Sequence, residues 1–438
     1  MPFPALPAGD MVLTAATIPL AIARADLVAD ADGLASGDLF LSHGRVAAIA
    51  PPGALRPEGV PVVDLDGGLV LPGLVDMHTH LDKGHIWPRK PNPDGSFMGA
   101  LQAVAEDRAA NWSAEDVRRR VDFALRTAYV HGTVLIRTHI DSIPPQDGIS
   151  WPVLTEMHET WKGRIELQGS CLFGIDRLDL EDGFLDSIAA RVAKAGGVLG
   201  AVTYMVPRLD QHLDAIFRRA IDLGLEHDFH VDETADPQAQ SLRHIAQTAL
   251  RHKFQNRIVV GHCCSLARQD ADEADRTMDL VAEAGIAVVS LPMCNMYLQD
   301  RSAGRTPRWR GVTLLHEMKA RGIPVAVASD NTRDPFYAYG DLDLVEVYAQ
   351  ATRILHLDHP IGDWIRTVTT TPAAVIGRPE FGRIVPDRPA DLLLFRARNW
   401  SELLSRPHGP RLVLRGGRPI DRTLPDYREL DDLMETTR

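Results

Sequence analysis

At 438 residues, with 45% hydrophobic and 24% charged side chains, the chain is long enough for a large core and a smaller satellite domain. A formal net charge of -12 argues against a nucleic-acid partner, whose phosphates demand basic surface. The four cysteines show no disulfide or zinc-ribbon spacing, and no uncharged run approaches the roughly 20 residues of a membrane span, so the expectation is a reducing cytoplasm and no membrane.

Up to about Asp66 the chain reads as short strands, "LAIARADLVAD", "GDLFLSHGRVAAIA" and "VPVVDLDGGLV", punctuated by Gly and Pro. The middle alternates. Strand-like apolar runs occur at "GLVDMH", "GTVLIRTHID", "IELQGSCLF", "GAVTYMV", "HDFHVDE", "RIVVGHC", "IAVVSLPMC" and "IPVAVASD". Between them the spacing predicts amphipathic helices over 114–130, 185–194, 213–223, 241–252, 275–284 and 314–321. Strands alternating with helices over some 300 residues signal parallel βα units, and eight of them predict an α/β fold with a TIM-like (β/α)8 barrel. An open doubly wound sheet is the alternative, but no Gly-rich dinucleotide fingerprint follows an early strand. The proline-bounded "RKPNPDGSF" reads as a long loop within a candidate lid over 84–98. The C-terminal part returns to short strands, "PADLLLFRA" and "RLVLRGGRPI", so both chain ends are expected to build one small β-sandwich. The expected boundaries are 1–68 and 384–438 for that domain and 69–383 for the barrel.

Polar residues recur at the C-terminal ends of the middle strands, where barrel active sites are built. "LVDMHTHLDK" carries His78 and His80, which strand alternation sends to one face. "RTHID" carries His139 and Asp141, "HVDE" carries His230 and Glu233, "GHCC" carries His262, and "ASDN" carries Asp330 and Asn331. Buried polar groups cost free energy unless something pairs with them, so this many at one end of a barrel argue for a metal-centred site. Neutral imidazoles suit Zn, Fe or Mn, and a carboxylate completes a site that leaves one position open for water.

In these residues the chain resembles the amidohydrolase superfamily. It is most similar to cytosine deaminase and its relatives, which act on pyrimidines and triazines. The resemblance runs from about Leu69 to the C-terminus and rests on "HTHLDK", "VLIRTHID", "HVDET", "VVGHC", "RLVLRGGRPI" and the long stretch "GRTPRWRGVTLLHEMKARGIPVAVASDNTRDPFYAYGDLDLVEV". It implies that His78, His80, His230 and Asp330 hold one divalent ion, zinc or iron, with manganese a further fit. It implies that Asp330 is also the first base, that His262 stabilises the tetrahedral centre, and that Glu233 carries protons to the ring nitrogen. The implied reaction is attack of a metal-bound hydroxide on an amino-bearing ring carbon with loss of ammonia. Binuclear members place a lysine at the end of the fourth strand; "GAVTYMV" has none, which favours one metal.

The departures concern substrate. The family glutamine that reads the pyrimidine amide edge falls on or near Gly174, and its second aspartate is Asn331. Lys83 and His85 follow the His-x-His pair, and with Trp309 they complete the candidate substrate contacts. Lys83 suits an oxo-rich or anionic ring. The expected substrate is a small heterocycle, cytosine or a substituted pyrimidine such as 5-methylcytosine or isocytosine. Cleavage of another C–N bond, in an isopropylammelide-type triazine or a cyclic amide, is the alternative, and a catalytically silent scaffold is the third. A homo-oligomer is expected from the family type.

Overall fold

The structure, a computed structural model, describes residues 3, 5–179 and 182–435. The chain divides into two compact units, one of Met1–Asp76, Arg126–Leu135 and Leu342–Pro425, the other of Met77–Leu125, Ile136–Asp341 and Asp426–Arg438.

In the first unit, short alternating segments from the two ends of the chain form two four-stranded sheets. One runs in the order Arg45–Ala50, Leu34–Ser42, Met11–Pro19 and Val62–Asp64. The other runs Arg418–Pro419, Arg411–Arg415, Leu392–Phe395 and Val70–Pro72. Pairing is antiparallel except where Val62–Asp64 lies parallel to Met11–Pro19. Leu13, Ile18 and Leu39 share one buried cluster with Leu392, Leu394 and Leu414, so each sheet supplies the apolar face that the other needs. Either terminal segment alone would leave that face in water.

The alternating middle of the chain lies mostly in the second unit, with the stretches up to Asp76 and over Arg126–Leu135 counted in the first. Val202–Thr203, His227–Val231, Ile258–His262, Ala287–Ser290 and Val325–Val327 form a parallel sheet in that order. The strands Leu74–Thr79, Thr133–Asp141 and Glu166–Leu172 form another. Single parallel bridges tie Ser170 to Val198, Gly174 to Val202 and Thr79 to Asp330. All nine residues of Thr133–Asp141 are buried, the pattern of a strand covered on both faces. The intervening helices include Ala114–His131, Phe184–Lys194, Leu209–Leu223, Ser241–His252 and Ala271–Glu283. The acidic run "DADEAD" starts the last of these, with the Asp270 carboxylate accepting from the Asp272 amide at 3.0 Å.

Some expected strands differ. "LAIARADLVAD" forms a 3-10 turn over Leu20–Ile22 and no strand after it. "IPVAVASD" is a strand only over Val325–Val327, and two others are also cut short. "GAVTYMV" is a strand only over Val202–Thr203, and a Cβ at Gly200 would lie 2.0 Å from the Asp228 carbonyl, so the chain passes too close there for a side chain. "IAVVSLPMC" stops at Ser290, and Pro292 opens the helix Pro292–Leu298 because its fixed φ and missing N–H suit a first turn. The "RKPNPDGSF" loop ends at Ser96, whose hydroxyl accepts from the Gly99 amide at 2.9 Å and caps Phe97–Asn111, a helix its polar, proline-rich approach conceals.

Candidate active site

The strand ends converge. His78 is the penultimate residue of the strand Leu74–Thr79, His80 lies one residue beyond it, and His230 sits in His227–Val231. Their Nε2 atoms meet, with His230 at 3.1 Å from His78 and 3.1 Å from His80. Asp330 Oδ1 lies 3.2 Å from His80 Nε2 and 3.7 Å from His78 Nε2. The four are buried, and burial lowers the pKa of each ring well below the ordinary histidine value. His78, His80 and Asp330 present ligand atoms close enough together to hold one ion, and His230 Nε2 stands 3.1 Å from both rings, separations that suit ligands at about 2.0–2.2 Å. Three imidazoles and a carboxylate are a donor set that zinc, iron or manganese accepts.

The surroundings hold these side chains in place. A Cβ on Gly261 would lie 2.9 Å from His78 Cε1 and 3.1 Å from its Nδ1, so only glycine leaves room for that ring. His78 Nδ1 meets His139 Nε2 at 3.1 Å, and His139 in turn lies 3.8 Å from Asp228, which Arg137 pairs at 3.1 Å. Burial pushes Asp228 up to about 7. The Asp330 amide donates to the His78 carbonyl at 2.9 Å, and Asp330 adopts a left-handed φ of 64° that turns the chain at the strand end.

Beside this centre lie Glu233 and His262. Their side chains approach at 3.4 Å, and the amide nitrogen of Asn295 reaches both, at 3.0 Å from Glu233 Oε1 and 2.9 Å from His262 Nδ1. Burial, reinforced by the Asp330 carboxylate, raises the Glu233 carboxyl well above its usual range. Burial brings His262 down to about 3. A cavity of about 620 Å³ opens over these groups, lined by His80, His230, Glu233, His262, Asp330 and Asn331 among others.

Of the expected substrate residues, Lys83, Gly174 and Asn331 line that cavity. Lys83 Nζ lies 3.8 Å from Asp141 and 5.1 Å from the centre of the Phe336 ring. Arg108 donates to the same Asp141 at 2.7 Å. A Cβ on Gly174 would lie 2.6 Å from Asp176 Oδ1 and 3.1 Å from the Tyr204 hydroxyl, which itself donates to Asp176 at 2.6 Å. That pair stands where a longer side chain at position 174 would begin. Asn331 spends its amide on Asp334 Oδ2 at 2.7 Å, inside its own loop.

His85 and Trp309 depart from expectation: neither is among the described residues lining the cavity. His85 turns away behind Lys83, at a φ of 65°, and packs edge-on to Phe123 at 4.9 Å. The Trp309 ring sits 5.5 Å from the Arg268 guanidinium. Asn295, Tyr204 and Arg108 carry no motif signal, since an isolated Asn, Tyr or Arg outside a strand-end cluster looks like any other.

A sequence model described as the Amidohydrolase family matches residues 61–143 and 177–421. The chain is 56% identical over 427 residues, 98% of this chain and 97% of the relative, to the pterin deaminase of Rhizobium rhizogenes. It is 25% identical over 350 residues, 76% of this chain and 81% of the relative, to the N-isopropylammelide isopropyl amidohydrolase of a Pseudomonas species. Among solved structures, 5-methylcytosine deaminase from Klebsiella pneumoniae liganded with 5-fluorocytosine matches with a TM-score of 0.80 at 22% identity, covering 95% of this chain and 98% of that one.

Proposed function

The chain belongs to the amidohydrolase family, and from that premise we propose that it is a metal-dependent hydrolytic deaminase whose substrate is a pterin. The observation that carries the reading is 56% identity to a pterin deaminase across 98% of this chain. The cluster of His78, His80, His230 and Asp330 supports its chemistry, because hydrolysis of an aromatic C–N bond needs an activated water. An ion held by these four would supply Lewis acidity, lowering the pKa of water from about 15.7 towards 7. Zinc and iron are the proposed ions.

A pterin is an aminopyrimidinone fused to a pyrazine, so its reacting half resembles isocytosine and its second ring adds area. Water adds to the amino-bearing carbon, the C–N bond breaks, and the products are the oxo ring and ammonia. Asp330 takes the first proton from water. Glu233 delivers one proton to the ring nitrogen, and the second proton, from the added hydroxyl, is carried by Asp330 to the amine, which leaves as ammonia while the new C=O forms. His262 donates to the oxygen that becomes the new carbonyl. Lys83 faces ring oxygen or charge, and the Tyr204–Asp176 pair occupies the place where a pyrimidine-specific chain would project an amide from position 174. The proposal therefore moves from a pyrimidine to a fused bicycle while keeping the deamination.

The same reading extends to architecture. We take the eight strands to close into a (β/α)8 barrel spanning 69–383, supported by the bridges from Thr79 to Asp330 and from Gly174 to Val202. We take 1–68 and 384–438 to form the β-sandwich, supported by the core their two sheets share.

The test is ammonia release from pterin, cytosine, 5-methylcytosine and isocytosine by the metal-loaded protein. Pterin should give the highest kcat/KM; no ammonia from pterin, or a preference for cytosine, would end this reading. The match to the isopropylammelide hydrolase favours a second reading, cleavage of an exocyclic N-alkyl bond, which would release an alkylamine instead.

A further inference from the structure

Asn295 lies fully buried on the short helix Pro292–Leu298, which follows the strand Ala287–Ser290. Its side chain does one thing: the amide nitrogen stands between His262 Nδ1, at 2.9 Å, and Glu233 Oε1, at 3.0 Å. Those two groups come from the ends of different strands, so a third element bridges the pair. An amide nitrogen has two hydrogens and no lone pair to offer, and here it meets two acceptor positions. One hydrogen suits the carboxylate oxygen and the other the ring nitrogen.

The consequence follows from the imidazole. A neutral ring carries one hydrogen, and a ring whose Nδ1 accepts must carry it on Nε2. His262 Nε2 is buried and has no hydrogen-bond partner among the described residues. The ring lies against the histidine cluster, 5.1 Å from the centre of His230 and 5.4 Å from that of His78. A donor is thus turned towards the reacting centre. The carboxylate is held likewise, because Oε1 accepts from the Asn295 amide and Oε2 is left without that contact.

The helix is itself fixed at this point. Gln299, one turn beyond Asn295, donates through Nε2 to the Glu233 carbonyl at 3.2 Å, so two side chains four residues apart grip Glu233 by backbone and carboxylate. Gly311 closes on them: a Cβ there would lie 2.5 Å from Gln299 Cβ and 2.8 Å from the Asn295 carbonyl.

We infer that Asn295 is a positioning residue that holds His262 in its Nε2–H tautomer and fixes the Glu233 carboxylate through Oε1. The inference rests on the proposed reading of Glu233 and His262 as the proton-handling pair. The bland alternative, a buried amide that merely fills its hydrogen bonds, predicts no tautomer preference coupled to turnover.

The experiment is nitrogen-15 NMR of the zinc-loaded protein with labelled histidine, the His262 signals being assigned by their loss in His262→Gln. The wild-type ring should carry its hydrogen on Nε2; a hydrogen on Nδ1, or on both nitrogens, overturns the inference without any Asn295 variant. Asn295→Asp keeps the shape and replaces the donor by an acceptor. It should move the hydrogen to Nδ1 and lower kcat by about 10²-fold, the size expected when a proton-transfer group is misdirected, with KM within about threefold. A folded, zinc-bound Asn295→Asp protein that retains the Nε2–H form, or that turns over at the wild-type rate, overturns it equally. Absence of ammonia release by the wild type would sink the proposed function while leaving the tautomer result to decide this point.

Discussion

At the scale of single residues, Gly261 supports the site from behind while Glu233 and Lys83 face the cavity. Gly261 leaves 2.9 Å between its would-be Cβ and His78 Cε1, a separation real side chains do not tolerate. Gly261→Ala should therefore tilt the His78 ring and weaken metal binding by about tenfold or more, as displaced ligand orientation does elsewhere. Equilibrium dialysis against a zinc buffer reads the affinity, and an unchanged value would mean that His78 is not a ligand. Glu233→Gln removes the mobile proton but keeps an amide of the same size for Asn295 to meet. It should keep full metal content and slow ammonia release by roughly 10²-fold or more. Lys83→Met keeps an unbranched stem and removes the cation that stands over the Phe336 ring. It should lower kcat/KM for the preferred ring by roughly tenfold with metal content unchanged; indifference would take Lys83 out of the substrate contacts.

At the scale of elements, the loop that carries Lys83 is tied to the helix Ala114–His131 by one arginine. Arg120, fully buried, donates to the Asp82 carbonyl at 2.6 Å and the Gly84 carbonyl at 3.0 Å, and pairs with Asp116 at 2.6 Å. Asp116 also receives Arg89, so the helix face and the loop share one ionic network. Breaking a buried pair leaves a charge unpaired, which costs about 3–5 kcal/mol. Arg120→Met should fall near the lower bound of about 3 kcal/mol, because Arg89 still serves Asp116. Urea unfolding measures the loss, and a rise in KM that exceeds any fall in kcat would place its functional effect on the Lys83 loop.

At the scale of the whole molecule, an ion that binds only the folded chain stabilises it by mass action. At a thousandfold excess over its dissociation constant the gain is about 4.1 kcal/mol. Chelation should accordingly abolish ammonia release and lower the unfolding midpoint together, and readdition of zinc should restore both. His78→Ala and Asp330→Ala should lose both metal and turnover. Full activity in either variant without bound metal would end the metal reading. Among the described residues no helix is long and apolar enough to cross a membrane, in line with the charge distribution along the chain.

Much of this was legible before folding. Strand alternation alone puts His78 and His80 on one face, and polar tips at the ends of apolar runs are local signals. That is why Glu233, His262 and Asp330 could be picked out beside the His-x-His pair. The helices Ser241–His252 and Ala114–His131 follow from 3.6-residue periodicity, which is equally local. The shortened strand at Val202–Thr203 was not legible, because the close approach of Gly200 to the Asp228 carbonyl joins segments that the sequence keeps apart. Nor was the direction of His85, which a left-handed backbone turns onto Phe123, or the role of Asn295, 33 residues from His262 and 62 from Glu233. The sequence by itself determined which residue types stand at the strand ends, since periodicity and turn chemistry act over a few residues. Only the tertiary structure decided which of them share a centre and what orients them, since those contacts are set by how distant strands and helices pack.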